Sequence, residues 1–192
     1  MREMLKMIFV LSLICGLSGL TLATVRDATS AKIEEQVLTY VQGPALKQVF
    51  TDFDNNPVKD RKTFELANES VTVFPAMKEG KLTGVAFERY GTGYGGPVGV
   101  MVGINTTGTQ IAGIGITTSK ETPGLGARAS EPEYREQFRN QPSDGIDLTK
   151  NGGPIQAIAG ATTTSTATVN AVNDAVKIFM QIKDKFPESW GS

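Results

Sequence analysis

The sequence predicts an α+β fold: an antiparallel sheet covered by helices on one side, preceded by one N-terminal transmembrane helix. Three observations predict it. Met7 to Val25 is a run without a charged residue. Four β-rich segments lie between Ser70 and Thr117, and the last two are separated by the turn signal Asn105-Thr106-Thr107-Gly108. From Thr163 to Lys185, apolar residues recur at helical spacing, with Ala171, Ala175, Ile178 and Ile182 on one stripe.

The N-terminal run comes first. At about 1.5 Å per residue it nearly crosses a hydrocarbon core about 30 Å thick. Arg2 and Lys6 precede it, which keeps the N-terminus cytoplasmic and exports the rest of the chain. It reads as an uncleaved signal-anchor over residues 1–26. The competing reading is a cleaved signal peptide ending near Thr21-Leu22-Ala23. Residues 27–90 supply a helix and strands leading into the domain. In the helix, Ile33, Val37, Leu38 and Val41 share a face, Thr29 or Ser30 could cap its start, and Gly43-Pro44 interrupts it. Asp54-Asn55-Asn56-Pro57 reads as a turn. Strands are predicted over 70–77, 82–90, 97–104 and 110–117, a short charged helix over 131–140 and a loop over 141–153. In the final helix Val172, Val176 and Phe179 widen the apolar stripe, while Asp174 and Asp184 read as exposed charges.

Composition excludes much chemistry. The 192 residues are 40% hydrophobic, enough for one domain with a core, and the net charge of −1 gives no footprint for nucleic acid. Histidine is absent and the one cysteine, Cys15, lies inside the apolar run. Ser-His-Asp and Cys-His catalysis, histidine-ligated haem, Cys-ligated iron–sulfur clusters and an internal disulfide are therefore ruled out. Any chemistry must come from carboxylates, Lys or Arg, hydroxyls, backbone groups or a bound cofactor.

Two loops imitate a dinucleotide fingerprint. Gly91-Thr92-Gly93-Tyr94-Gly95-Gly96 fits G-x-G-x-x-G, but the strand-like Pro97-Val98-Gly99-Val100 follows where a helix is required. Gly124-Leu125-Gly126-Ala127-Arg128-Ala129 fits G-x-G-x-x-A, but Lys120 to Pro123 separates it from the preceding strand. Both loops also read as tight turns needing positive φ.

The second loop, Glu121-Thr122-Pro123-Gly124-Leu125-Gly126, precedes Ala159-Gly160-Ala161-Thr162 at the head of the final helix. With the N-terminal anchor, the Gly-Tyr-x-Gly stretch at Gly93 to Gly96 and the hairpin, this pair resembles the FMN-binding domain family. Its members include the G subunit of the Rnf electron-transport complex and the C subunit of the sodium-translocating NADH:quinone reductase. The resemblance covers nearly the whole chain and implies an FMN-binding domain over 91–185. By that resemblance Thr162 carries FMN through a phosphoester bond made by a flavin transferase. Gly160, Ala161, Thr163, Glu121, Thr122, Gly124, Leu125 and Gly126 complete the cofactor-binding set. The implied function is electron transfer in an ion-translocating oxidoreductase complex, with the soluble domain on the periplasmic side of the inner membrane. The other membrane subunits of the complex are the implied partners. A stand-alone exported flavoprotein and an exported binding module without flavin are the rival readings.

The chain departs from the family motif at Ala159, usually Ser or Thr, and at Gln156, usually Asp or Asn. The residues themselves suit the implied role. A helix N-terminus favours phosphate by roughly 0.3–1 kcal/mol, and Leu125 is the candidate apolar wall for the ring. Glu121 reads either as a flavin contact or as a solvated loop charge. Tyr94 reads as a packing aromatic, and Thr163, Thr164, Ser165 and Thr166 as capping and first-turn hydroxyls. The helix is expected to need a packing face only from Val169 onward.

Overall fold

A computed structural model of the chain describes residues 1–66 and 69–190. It divides into two compact units, Met1–Thr39 and Tyr40–Ser192.

The first unit is the helix α1 (Arg2–Val37), and none of its residues is buried. Its apolar side chains from Met4 to Val25 each stand more than half exposed. A helix that is apolar on all sides and uncovered is suited to lipid, and its length and composition would let it cross a membrane. Thr29 and Ser30 do not cap a helix start. Their hydroxyls bond back to the carbonyls of Val25 at 2.8 Å and Asp27 at 2.9 Å inside α1, because the helix has no break there to cap.

A π-helical turn at Leu38–Gln42 precedes α2 (Gly43–Val49). The regular α-helical pattern is thus interrupted next to Gly43-Pro44, and Pro44 sits in the first turn of α2, where its missing N–H forfeits no bond.

Five strands follow as a meander: β1 (Lys62–Glu65), β2 (Ser70–Lys78), β3 (Lys81–Thr92), β4 (Pro97–Asn105) and β5 (Ile111–Thr118). They lie side by side in chain order, each antiparallel to the next. Short connections favour this order, since consecutive antiparallel strands need only a tight turn. The first strand was absent from the sequence expectations. It is held by Phe64, whose ring stacks edge-on against Phe186 at 5.7 Å between centroids.

Side chains alternate between the two faces of the sheet. Val85, Phe87, Val98, Val100, Val102 and Ile104 form one buried face. Against it packs α4 (Thr162–Ile182), which buries Ala171, Val172, Ala175, Ile178, Phe179 and Ile182. The opposite face is not open, as a sheet covered on one side would be. There α2 lies directly on β4 and β5, over a floor of glycines. A Cβ on Gly113 would stand 2.7 Å from the Val49 carbonyl oxygen, and one on Gly115 3.0 Å from that of Ala45. The alternate glycines of these strands therefore set the close approach of α2. Arg139 fastens it, donating to the carbonyls of Gln48 at 2.7 Å, Val49 at 3.1 Å and Ala112 at 2.8 Å. Its hydrogen bonds to Glu136 hold that carboxyl below its usual range.

The chain between β5 and α4 is compact. It contains the short helix α3 (Pro132–Arg135), continued by a 3-10 turn at Glu136–Phe138. After α4, a 3-10 turn at Lys183–Lys185 leads into α5 (Phe186–Trp190). Asp174 is not a free surface charge. It accepts from Arg89 Nε at 2.6 Å, and Arg89 also reaches Glu69 at 2.8 Å, tying α4 to β3.

Candidate functional site

The loop after β5 opens with Glu121 and turns at once. Leu125 N donates to Thr122 O at 3.1 Å, and Gly124 between them has φ +75°. Proline second and glycine third, with the glycine at positive φ, is the pattern of a type II turn. The loop before α4 turns in the same way. Ala161 N donates to Ile158 O at 2.9 Å, and Gly160 has φ +77°. The Ser165 hydroxyl locks that turn onto the helix by accepting from Ile158 N at 3.0 Å and donating to Ala161 O at 3.0 Å.

These two turns enclose a cleft of about 280 Å³. Tyr94, Glu121, Thr122, Leu125, Gly126, Gly160, Ala161, Thr163 and Thr164 line it. Seven of the nine residues singled out by the sequence thus meet in one place. Thr162 is exposed at the first position of α4, outside the lining and between the lining residues Ala161 and Thr163 in sequence. Gly124 is an exposed turn residue outside the lining. Two lining residues had been read otherwise. Tyr94 is no packing aromatic, because it stands 82% exposed. Thr164 is no free first-turn hydroxyl, because it is 1% exposed.

Glu121 is the centre of the arrangement and is not solvated. It is 8% exposed. One carboxylate oxygen accepts from Gly95 N at 2.9 Å and the other from the Thr164 hydroxyl at 2.6 Å. Glycines on both sides make room for it: a Cβ on Gly126 would come within 2.5 Å of Oε2, and one on Gly93 would overlap Oε1. The first glycine loop is therefore shaped mainly by close approach. Gly96 alone within it has a positive φ, of 142°. A buried charge requires such complete pairing.

The helix terminus is polar but uncapped. The first bond within α4 runs from Ser165 N to Ala161 O at 3.1 Å, and no side chain caps the amides before it. Unpaired amides at the end of a 21-residue helix favour an anion. The packing face of α4 begins earlier than Val169. Thr164, Ser165 and Thr168 are all buried, and each hydroxyl has a partner: Thr164 donates to Glu121, Ser165 to the Ala161 carbonyl and Thr168 to the Thr164 carbonyl at 3.0 Å. Burial pushes the neighbouring Tyr134 phenol up to about 12.

A larger hollow of about 380 Å³ lies elsewhere in the domain, lined by residues that include Gln42, Ser70, Thr72, Glu88 and Tyr90. The Glu88 carboxylate there is occupied by Gln42 and Thr117. None of the loop residues above borders it.

Comparison with known proteins gives three kinds of likeness. The FMN-binding domain family matches residues 93–177, which span the cleft and most of α4. The G subunit of the ion-translocating oxidoreductase complex of Methanosarcina acetivorans is 31% identical, over 91% of this chain and 94% of its own. The G subunit of the Na⁺-translocating ferredoxin:NAD⁺ oxidoreductase complex of Acetobacterium woodii is 31% identical, over 94% of each. Among solved structures, Shewanella oneidensis NqrC superposes with a TM-score of 0.56. It covers 71% of this chain and 78% of that one, at 20% identity, and so shares the fold.

Proposed function

The chain belongs to the family of G subunits of ion-translocating oxidoreductase complexes, and from that premise we propose that it carries FMN covalently on Thr162. It is an electron-transfer subunit with an FMN-binding domain. The observation that carries the covalent reading is the position of Thr162: an exposed residue on the uncapped first turn of α4, between two residues that line a cleft.

The residues fit the cofactor. Free FMN has close to two negative charges on its phosphate, whereas a phosphodiester has one. The cleft lining contains no lysine or arginine among the described residues, which suits the singly charged ester better than the free nucleotide. Thr162 would supply the ester oxygen, and the amides of the first turn of α4 would face the phosphate. Gly160 keeps the approach low, since a Cβ there would already touch Leu125 Cδ2 at 3.0 Å. Leu125, Tyr94 and Ala161 offer apolar surface to the ring, with Thr122 and Thr163 as hydrogen-bonding neighbours. When bound, FMN supplies the redox chemistry; the protein positions it and tunes its surroundings. A covalent tether keeps the local flavin concentration high whatever the non-covalent affinity.

In this reading α1 anchors the chain, Arg2 and Lys6 hold its start on the cytoplasmic side, and the domain works on the opposite face. A flavin transferase makes the bond, and the membrane subunits of the complex are the redox partners. The relatives do not share one ion: the Acetobacterium complex is named for Na⁺ and that of Clostridium ljungdahlii for protons.

The test is a denaturing gel viewed under ultraviolet light after co-expression with the transferase, together with intact mass. A fluorescent band and a gain of FMN less one water are expected. Thr162→Ala abolishes both and Thr163→Ala keeps them. The reverse pattern moves the bond to Thr163, and a wild-type protein without either signal refutes the covalent reading.

A further inference from the structure

We infer that Glu121 both positions the cleft and lowers the redox potential of the flavin held there, an inference that rests on the cofactor reading above. Each carboxylate oxygen already holds a protein donor. Gly95 N and the Thr164 hydroxyl take one each, so the side chain joins the β3–β4 connection to α4 across the cleft. Glu121 is therefore a positioning residue.

Its charge nevertheless belongs to the cleft. Glu121 is one of nine lining residues, and the other eight are uncharged. At 8% exposure its field is weakly screened by water and salt. The two hydrogen bonds soften the charge without cancelling it. Electrons delivered by a redox partner of the complex would add negative charge beside this fixed one. The carboxylate gains and loses nothing itself; it opposes the arrival of the electrons. The electron-poor form is favoured, and the midpoint potential falls. The glycines at 93 and 126 thereby acquire a joint role. They allow a carboxylate to be buried where a larger neighbour would exclude it.

The experiment is spectroelectrochemical titration of the full-length protein bearing covalent flavin. Glu121→Gln keeps an acceptor for Gly95 N and nearly the same shape, but removes the charge. Its midpoint is expected at a more positive potential, with thermal unfolding close to wild type. Thr164→Val keeps the charge and deletes one of the two donors that soften it, so its midpoint is expected at a more negative potential. A merely structural role would not move the two variants in opposite directions. Equal midpoints in all three loaded proteins overturn the inference while leaving the cofactor reading intact. Where the Gln variant does not accumulate, Thr164→Val decides alone, and an unchanged or more positive midpoint overturns it. A wild-type protein with no flavin band overturns the cofactor reading and this inference together, before any potential is measured.

Discussion

Gly91→Ala tests whether the closeness of α4 to the sheet is a property the fold requires. Gly91 lies in β3 beneath the start of the helix. An added Cβ would overlap the Ala167 peptide, with its carbonyl carbon at 2.5 Å and its Cα at 2.8 Å. The obstacle is backbone, so no rotamer change relieves it. The Ala167 carbonyl oxygen is nearer still, so restoring ordinary contacts requires α4 to retreat by more than about 1 Å, and a gap of about 1 Å already forfeits up to half of the dispersion energy across the interface. Overpacking typically costs about 1–3 kcal/mol. Because the retreat also loosens contacts of Ala167, Ala171 and Ala175 with the sheet, we expect a loss at the upper end, about 3 kcal/mol. For a domain of this size that lowers the melting temperature by about 6–12 °C. Gly80→Ala is the control. Its φ is +74° but nothing lies within 4 Å of the new Cβ, so it costs only about 1–2 kcal/mol of backbone strain. Urea unfolding followed by circular dichroism measures both. Gly91→Ala with a midpoint at or above that of Gly80→Ala would refute the reasoning, since the steric term would then be negligible.

Three other substitutions probe separate contacts. Burial raises the Tyr134 phenol from 10 to about 12 in the folded protein. Stability from the neutral phenol is thus complete below about pH 10 and is lost as the pH climbs toward 12, a fall of about 2–3 kcal/mol. Tyr134→Phe should remove most of that alkaline slope in urea titrations across pH 9–12. Arg89→Lys cannot reach both Asp174 and Glu69 with one planar group. The carboxylates are well exposed, so a double-mutant cycle with Asp174→Ala should give a coupling no greater than about 1 kcal/mol. Arg139→Met strips the donors from the Gln48, Val49 and Ala112 carbonyls. A loss of about 3 kcal/mol is expected by urea unfolding, with earlier amide exchange in α2 than in α4.

How legible the fold was in the sequence depended on the range of the interactions involved. The segments predicted as strands over 70–77, 82–90, 97–104 and 110–117 fall within two residues of β2 to β5 at every end, because alternation and the Asn-Thr-Thr-Gly turn are local signals. Lys62–Glu65 was invisible for the opposite reason. Only Phe64 in it is buried, and its aromatic partner Phe186 lies at the far end of the chain. Sequence also gave no sign that α2 covers the second face of the sheet. The glycines of β4 and β5 had two readings, loss of strand propensity or room for a neighbour, and only the position of Val49 and Ala45 decides. The same holds for Glu121. Its fate as a buried brace depends on Gly95 and Thr164, 26 and 43 residues away.

The hydroxyl-rich start of α4 shows how partners distinguish residues that look alike in sequence. Six of the seven residues from Thr162 to Thr168 carry a hydroxyl. Thr164 is committed to Glu121, Ser165 to the turn at Ile158 and Ala161, and Thr168 to the Thr164 carbonyl. Hydroxyls satisfied in this way can face a core, which is why a run with poor helix propensity tolerates burial. Thr166 is half-buried, which leaves Thr162 and Thr163 as the exposed pair. Of these, Thr163 lines the cleft and Thr162 precedes it at the first position of α4. An esterified residue needs an accessible oxygen, which both exposed residues offer. Burial and hydrogen bonding reduce six candidates to two, and the paired substitutions Thr162→Ala and Thr163→Ala decide between them.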